Sequence, residues 1–495
     1  MPAHDEGRIR LAVRELARFL GADMDDPEFL ADPHRYLTPA HRRAPLHRLP
    51  GGAVAVLGHS ACTQVLRDPR FGHGADALYD PTLLGVPARS FLQLDGPEHT
   101  RLRGQVAGRF GARGVQALGE DVTRYSTGLA RGCAGRQGDF VGDFAEPLAM
   151  AVISDVLGVP AEERAAFRHD ARLVIHGLDQ PARSTGERTV EEGSTEEQAV
   201  EDQAAEEQVV EDQAGEERTT EEGSAEDQAE EERTSEDRAT EEATARARFR
   251  LVRFFGRQAR ARRGTARDDL VSALLHRPGD RLPDIRELVT TCSLLLSAGF
   301  DTTVGLLSYA VQELGRLPEA DGWALARDPR TVGAVVEEAL RCQPPVQVAP
   351  RAAVCDADVA GLPVPRGTVV LPLLGAANRD PEVFDDPEAF RPGRHLARPG
   401  PPPAPPRVRH LSFGAGPHFC LGAALARLTA HRALTVLAAC PPRLRAAPPA
   451  HHKSLVVRGL RHLPVSWPLP RTDPEPGLPH TAVAHSASAC PFFHP

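Results

Sequence analysis

A cysteine set in a glycine-hinged loop directly ahead of a helix constrains this chain more than any other stretch. The loop reads His410-Leu-Ser-Phe413-Gly414-Ala-Gly416-Pro-His418-Phe-Cys420-Leu-Gly422-Ala-Ala-Leu425-Ala426-Arg427. From Leu421 onward the residues are strong helix formers, with Leu421, Ala424, Leu425 and Leu428 in helical spacing. Cys420 is therefore expected at or just before a helix N-terminus, where the helix dipole and free N–H groups favour a thiolate. Gly414, Gly416 and Gly422 suit a backbone that turns tightly or lets a flat ligand approach. Taken alone, the loop admits several roles. A phosphate cradle lacks its lysine and Ser/Thr. A cysteine nucleophile could use His418 as base, but nothing else in the chain resembles a cysteine hydrolase. A buried structural thiol is the commonest fate of a lone cysteine, and a thiolate held this way also suits a metal ion.

The formal net charge of −10 hides two opposed regions. Residues 190–244 carry 23 acidic and 3 basic side chains, a net of −20, which leaves about +10 on the remainder. This acidic stretch repeats a pentad such as Thr195-Glu-Glu-Gln-Ala and Val200-Glu-Asp-Gln-Ala. Five residues advance a helix by about 140° beyond a full turn, so the single apolar position wanders around the cylinder and no stripe forms. A disordered tract or, at most, a solvated single helix is expected, and a duplicated neutral insertion accounts for it better than a binding role. Lys453 is the only lysine, and the arginines are dispersed, so no nucleic-acid partner is expected. The eight cysteines form no CxxC pair and no signal peptide is recognisable, which points to reduced thiols in a cytoplasm. No apolar run approaches the ~18 residues of a membrane span, so no membrane association is expected.

Read in order, the chain predicts a helix over 6–20, strand pieces over 46–57, and a helix capped by Ser60 that ends near Asp68. A long Gly-, Pro- and Asp-rich loop, 72–96, leads to Asp95-Gly96-Pro97-Glu98-His99-Thr100-Arg101-Leu102-Arg103. There His99 and Arg103, four apart, share a helix face. Helices follow over 139–159, 161–178, 245–263 and 268–275, then a long apolar one from Pro283 to about Leu317. That helix holds Ala298-Gly299-Phe300-Asp301-Thr302-Thr303, an unfavourable run in mid-helix of the kind that marks functional sites. Next come Glu337-Glu338-Ala-Leu-Arg341, Arg351, a strand pair around 363–371, and Asn378-Arg379-Asp380-Pro381 with Phe384, Pro387, Phe390 and Arg394. A proline-rich loop, 399–406, precedes the cysteine loop. The tail, with His480, His485, Cys490 and His494, is expected to fray.

Four of these motifs, in this order, resemble the cytochrome P450 family: the His99 helix, Ala298–Thr303, Glu338-x-x-Arg341 with its Arg394 segment, and Phe413-Gly414-x-Gly416-x-His418-x-Cys420-x-Gly422. The resemblance implies a mainly α fold with small β-sheets, the haem lying between the long oxygen-binding helix and the cysteine-loop helix. It implies haem b, with Cys420 as the metal ligand and Phe413, Gly414 and Gly422 in the haem-binding loop. His99, Arg103, Arg351 and His410 are expected to hold the propionates. Ala298 and Gly299 are expected to open a groove over the haem, with Asp301 and Thr302 delivering protons there. Glu338, Arg341 and Arg394 are expected to form a structural network behind the cysteine loop.

The implied activity is insertion of one oxygen atom from O2 into a C–H bond or alkene of a small organic substrate. No flavin or nicotinamide domain is visible, so electrons are expected from a ferredoxin and its reductase. Arg101, Arg109, Arg113, Arg427 and Arg432 are candidates for an acidic partner's docking face. The domain reading is one P450 domain, 1–186 and 246–470, interrupted by the acidic insert, 187–245, where the family's access lid lies, and followed by a flexible tail, 471–495. A haem-thiolate sensor or ligand carrier is the rival class; its mark would be loss of the Asp301–Thr302 pair, which is intact.

Overall fold

The computed structural model describes residues 8–22, 26–73, 90–179, 225–265, 267, 269–276, 285–396 and 409–469. The chain divides into two compact units: Met1–Glu6 with Gln180–Ala243, and Gly7–Asp179 with Thr244–Pro495. Most of the pentad repeat, the 74–89 loop, the proline-rich loop and the tail lie outside the described residues. In the first unit the described part, 225–243, is helical, the start of the helix Ala225–Gly264. Its Ala, Glu, Gln and Arg content favours helix without needing a buried stripe.

The second unit is built around the core helix Ile285–Arg316, which buries side chains on nearly every face from Leu288 to Leu314. A helix apolar all round must be enclosed. Here the helices Glu146–Leu157, Val332–Cys342 and Ala423–Ala439 pack on it. One 18-residue window of the core helix is apolar enough to cross a membrane, contrary to the sequence expectation, and 67% of that window is buried inside the protein. It is the only such helix among the described residues.

The largest sheet has five short strands in the order Leu46–Arg48, Val54–Val56, Val369–Pro372, Arg351–Ala353, Phe71–Gly72. Val54–Val56 runs parallel to Val369–Pro372, and the other pairings are antiparallel. The pairing of Gly72 with Ala352 brings His73 next to Arg351. The fold is mainly α with small sheets, as expected.

Two local expectations are corrected. Gly58, not Ser60, caps the helix His59–Arg67, because the Asp380 carboxylate reaches in from outside to accept the His59 N–H at 2.8 Å. The helix expected over 139–159 runs without interruption from Phe140 to Leu157 but opens with a π turn, and Asp139 belongs to a strand. Gln137–Asp139 pairs with Pro464–Ser466, Val141–Ala145 is the π turn, and Glu146–Leu157 is α-helical. The Asp139 carboxylate caps the start of this run by accepting the N–H groups of Val141 and Gly142, and it also accepts that of Leu463.

Candidate active site

The cysteine loop is pinned from within. Gly414 N–H donates to Leu411 O at 2.7 Å, and Cys420 N–H donates to Phe413 O at 2.8 Å. Gly416 sits at φ +71°, and a Cβ there would lie 2.4 Å from the Leu66 carbonyl oxygen, so only glycine fits. The helix begins at Ala423 with Gly422 as its cap, three residues after Cys420. The N–H groups of Gly422 and Ala423 favour the thiolate, as do Arg103 and Arg427. Burial nevertheless outweighs them and pushes the thiol up, so the sequence expectation of a ready thiolate is corrected. The residue keeps solvent-accessible surface although the surrounding protein crowds it. A coordinating metal would displace its proton outright.

Beside the sulfur lies a cradle of basic side chains. Arg103 donates to Phe419 O, on the residue preceding the cysteine. One turn earlier on the helix Gly96–Phe110, His99 is 4% exposed, its ring 4.2 Å from that of His418. The His73 ring lies 4.4 Å from His418 on another side. Asp95 Oδ1 is 3.0 Å from His418 Nε2, and Asp95 Oδ2 accepts the His73 N–H at 2.6 Å. Arg351 donates to His73 Nε2 at 3.3 Å and to Pro350 O at 2.8 Å.

Burial, then Arg351 and His418, bring His73 down to about 3. Burial, then His418 and Arg103, bring His99 down to about 4. Burial pushes Asp95 the other way, but His418 and His73 hold it low.

One ligand atom each of His73, Asp95 and His418 falls within 4.8 Å of the others, a spacing that could hold a metal ion. The surrounding charge argues otherwise. Arg351 donates to the His73 ring, which leaves that ring's own proton on the nitrogen facing Asp95, and Arg103 adds a second guanidinium. Three imidazoles and two guanidiniums against one carboxylate suit an anion with several acceptor oxygens. The buried His99 Nε2 has no partner among the described residues. The carboxylates of a haem beside a cysteine ligand match that donor set, so the residues present fit the group.

Of the expected propionate ligands, His99, Arg103 and Arg351 come together and His410 does not. Its Nε2 is 3.2 Å from Glu337 Oε2 and its Nδ1 accepts the Ser412 N–H at 3.2 Å, so both ring nitrogens are taken. His418, His73 and Asp95 complete the cluster instead. The signal for His418 was present, two residues before Cys420; His73 and Asp95 were hidden in what read as a long loop.

On the core helix, Thr302 Oγ1 donates to Ala298 O and Thr303 Oγ1 to Gly299 O, both at 2.7 Å. Such back-bonding bends helices and leaves each hydroxyl oxygen able to accept. Ala298 is exposed, but a Cβ at Gly299 would lie 3.0 Å from Ile153 Cδ1. That glycine therefore permits close packing on the helix Glu146–Leu157, which corrects the groove-opening reading at this position. Asp301 lines a partly enclosed cleft with Glu146, His452 and Arg458, with room for a water molecule.

Behind the loop, Glu338 and Arg341 are fully buried and joined by two bonds of 2.9 Å. Arg394 Nε donates to Glu338 Oε1 at 2.9 Å, and His395 Nε2 lies 2.7 Å from Oε2. His395 was not foreseen. Asn378 ties this knot to the loop, accepting the Leu411 N–H and donating to Ser412 Oγ.

Residues 331–437 match the family model described as cytochrome P450. Cytochrome P450 monooxygenase PikC of Streptomyces venezuelae is 30% identical over 457 residues, covering 89% of this chain and 92% of the relative. Nocardicin C N-oxygenase of Nocardia uniformis subsp. tsuyamanensis is 32% identical over 436 residues, covering 85% and 91%. The crystal structure of P450BioI in complex with hexadec-9Z-enoic acid ligated acyl carrier protein superposes with a TM-score of 0.70 at 27% identity, covering 89% of this chain and 99% of that one. Likeness of this extent runs through both halves of the chain and well beyond the cysteine loop: the protein belongs to the cytochrome P450 family, whose cofactor is a haem iron, and is an enzyme of its monooxygenase class.

Proposed function

We propose that this chain binds haem b through Cys420 and inserts one oxygen atom from O2 into a C–H bond or alkene of a small organic substrate of the natural-product class. The observation that carries the reading is the cluster of His73, His99, His418, Arg103 and Arg351 beside a solvent-accessible cysteine, with one carboxylate to balance it. Bound haem would supply the activation of O2 and the transfer of its oxygen atom. The chain's own residues do the rest. Cys420 Sγ gives up its proton and serves as ligand, aided by the N–H groups of Gly422 and Ala423. Arg103, Arg351 and the cradle imidazoles hold the carboxylates. The Asp301 carboxylate takes protons from water in its cleft, and the Thr302 hydroxyl, which accepts while donating to Ala298 O, passes them inward.

Electrons come, in this reading, from a ferredoxin and its reductase in the cytoplasm. The docking face is narrower than the arginine list suggested. Arg101 is held by Glu98 and Glu287, and Arg427 by Glu337, which narrows the face to the exposed Arg113 and Arg432. Charge reversal at Arg113 and Arg432 is expected to slow reduction by the ferredoxin while substrate binding stays unchanged; equal reduction rates would remove this face from the reading.

The experiment that tests the whole is the visible spectrum of the purified protein, ferric and then ferrous with carbon monoxide. A thiolate-type carbon monoxide band is expected, together with turnover of O2 into product, and Cys420→Ala should lose both. A Cys420→Ala protein that kept the band would sink the assignment. A parent that bound haem but never oxygenated any ligand shifting its spectrum would support the carrier or sensor class instead.

A further inference from the structure

We infer that Glu337, acting through Arg427, sets the electrostatic field at Cys420 and so the ease with which a metal bound there accepts an electron. The inference rests on the haem-thiolate reading above. Glu337 and Glu338 are consecutive on the helix Val332–Cys342 and therefore point about 100° apart. Glu338 enters the buried knot, while Glu337 turns towards the cysteine loop. Its Oε1 accepts from Arg427 Nε at 2.7 Å and its Oε2 from Arg427 Nη2 at 2.9 Å, a two-pronged pair of fixed geometry. The Arg427 guanidinium is stacked over the Phe413 ring at 4.4 Å, and the Phe413 carbonyl accepts the Cys420 N–H at 2.8 Å. The cation is thus clamped to the residue that holds the sulfur.

Both side chains are largely out of water, Arg427 26% and Glu337 13% exposed, so their charges are poorly screened. Intact, the pair is close to neutral as seen from the loop. Breaking it from one side leaves the other charge without its ion partner, Glu337 then keeping only the His410 ring nitrogen 3.2 Å from its Oε2.

One-electron reduction adds a negative charge to the cysteine–metal unit. A bare Arg427 favours that change and a bare Glu337 opposes it. Glu337→Gln is therefore expected to raise the reduction potential and Arg427→Gln to lower it. Each shift should be at least threefold in the reduction equilibrium, ~28 mV for a one-electron couple. The double variant should return close to the parent, and Glu337→Asp, which keeps the charge, should restore most of the single variant's shift. A merely structural role would loosen the loop in both single variants and move both potentials the same way.

The measurement is redox titration of the haem-loaded proteins at about pH 8, above the ordinary histidine range. Glu337→Leu and Arg427→Met provide a second charge-removing pair should a glutamine variant not fold. Opposite shifts that cancel in the double variant are the expected result. Same-sign or absent shifts, in proteins that retain the thiolate-type carbon monoxide band, overturn the inference alone. Absence of that band in the parent overturns the haem-thiolate reading, and this inference with it.

Discussion

Two polar clusters flank the cysteine loop, and they are built on opposite plans. In the knot behind the loop the Glu338 carboxylate accepts from Arg341, Arg394, His395 and the Arg391 N–H, while Arg341 donates its remaining hydrogens to the carbonyls of Asn378, Pro387 and Ala389. The carboxylate stays ionised: burial pushes it up, but His395 and Arg341 hold it low. Nothing in that network calls for a further partner. The cradle beside the loop has an excess of cationic and donor groups, two depressed histidines and a buried nitrogen, His99 Nε2, without a partner among the described residues. A network closed on itself holds a fold together. One left open and biased in charge is waiting for a ligand of the opposite sign, and that contrast separates scaffold from site before any relative is consulted.

The contrast is broken most directly at the knot. Glu338→Gln leaves Arg341, which is 0% exposed, as an uncompensated buried charge, with an expected loss of about 3–5 kcal/mol in stability. Urea unfolding of the purified variant measures it. A variant within about 1 kcal/mol of the parent would mean that the knot is not what holds the loop. At the cradle the expectation reverses. Removing one of the cradle's donor rings should cost less stability than that and should weaken haem binding instead. His99→Gln and His418→Gln are each expected to lower haem affinity about tenfold, the ~1.4 kcal/mol of one hydrogen bond to a charged group. Haem transfer to an excess of a strong haem scavenger reads that loss. Variants that unfold but hold haem as tightly as the parent would exchange the roles of the two clusters.

How much of this was legible in the sequence depended on whether the partners were local. Glu338 and Arg341 are three apart on one helix, His99 and Arg103 four apart, and Cys420 sits among its own glycines, so helical spacing and backbone demands exposed them. His73 and Asp95 enter the cradle only because Phe71–Gly72 pairs with Arg351–Ala353, a contact across some 280 residues that no local pattern encodes. His410 and His418 lie in the same loop, and the loop's sequence does not say which side each ring takes. The structure does: Glu337 claims the first and Asp95 the second. The π turn at Val141–Ala145 was hidden for a related reason, since the Asp139 carboxylate that caps it looked like any residue of a helical run. The charge state of Cys420 failed differently. The helix-end argument had the right sign, but burial, which a sequence does not show, was the larger effect.

The smallest expected effect sharpens the comparison most, because it reads the cradle's charge bias without a mutation. His99 lies at about 4 and His73 at about 3, against an ordinary value near 6.5. Between those values the unfolded chain takes up protons that the folded chain refuses. Stability of the haem-free protein should therefore be full above about pH 6.5 and fall steadily as the pH drops towards about 4. Urea midpoints measured across that window should show the slope, and His99→Gln should make it shallower. A carboxylate bound beside His99 favours the protonated ring, which draws its pKa back towards the ordinary value and shrinks the difference between folded and unfolded chains. The haem-loaded protein should then show a flatter pH dependence than the haem-free one. Equal slopes in the two forms would mean that the cradle's positive charge is not answered by the bound group, and the propionate assignment of these histidines would have to be given up even if Cys420 kept its place.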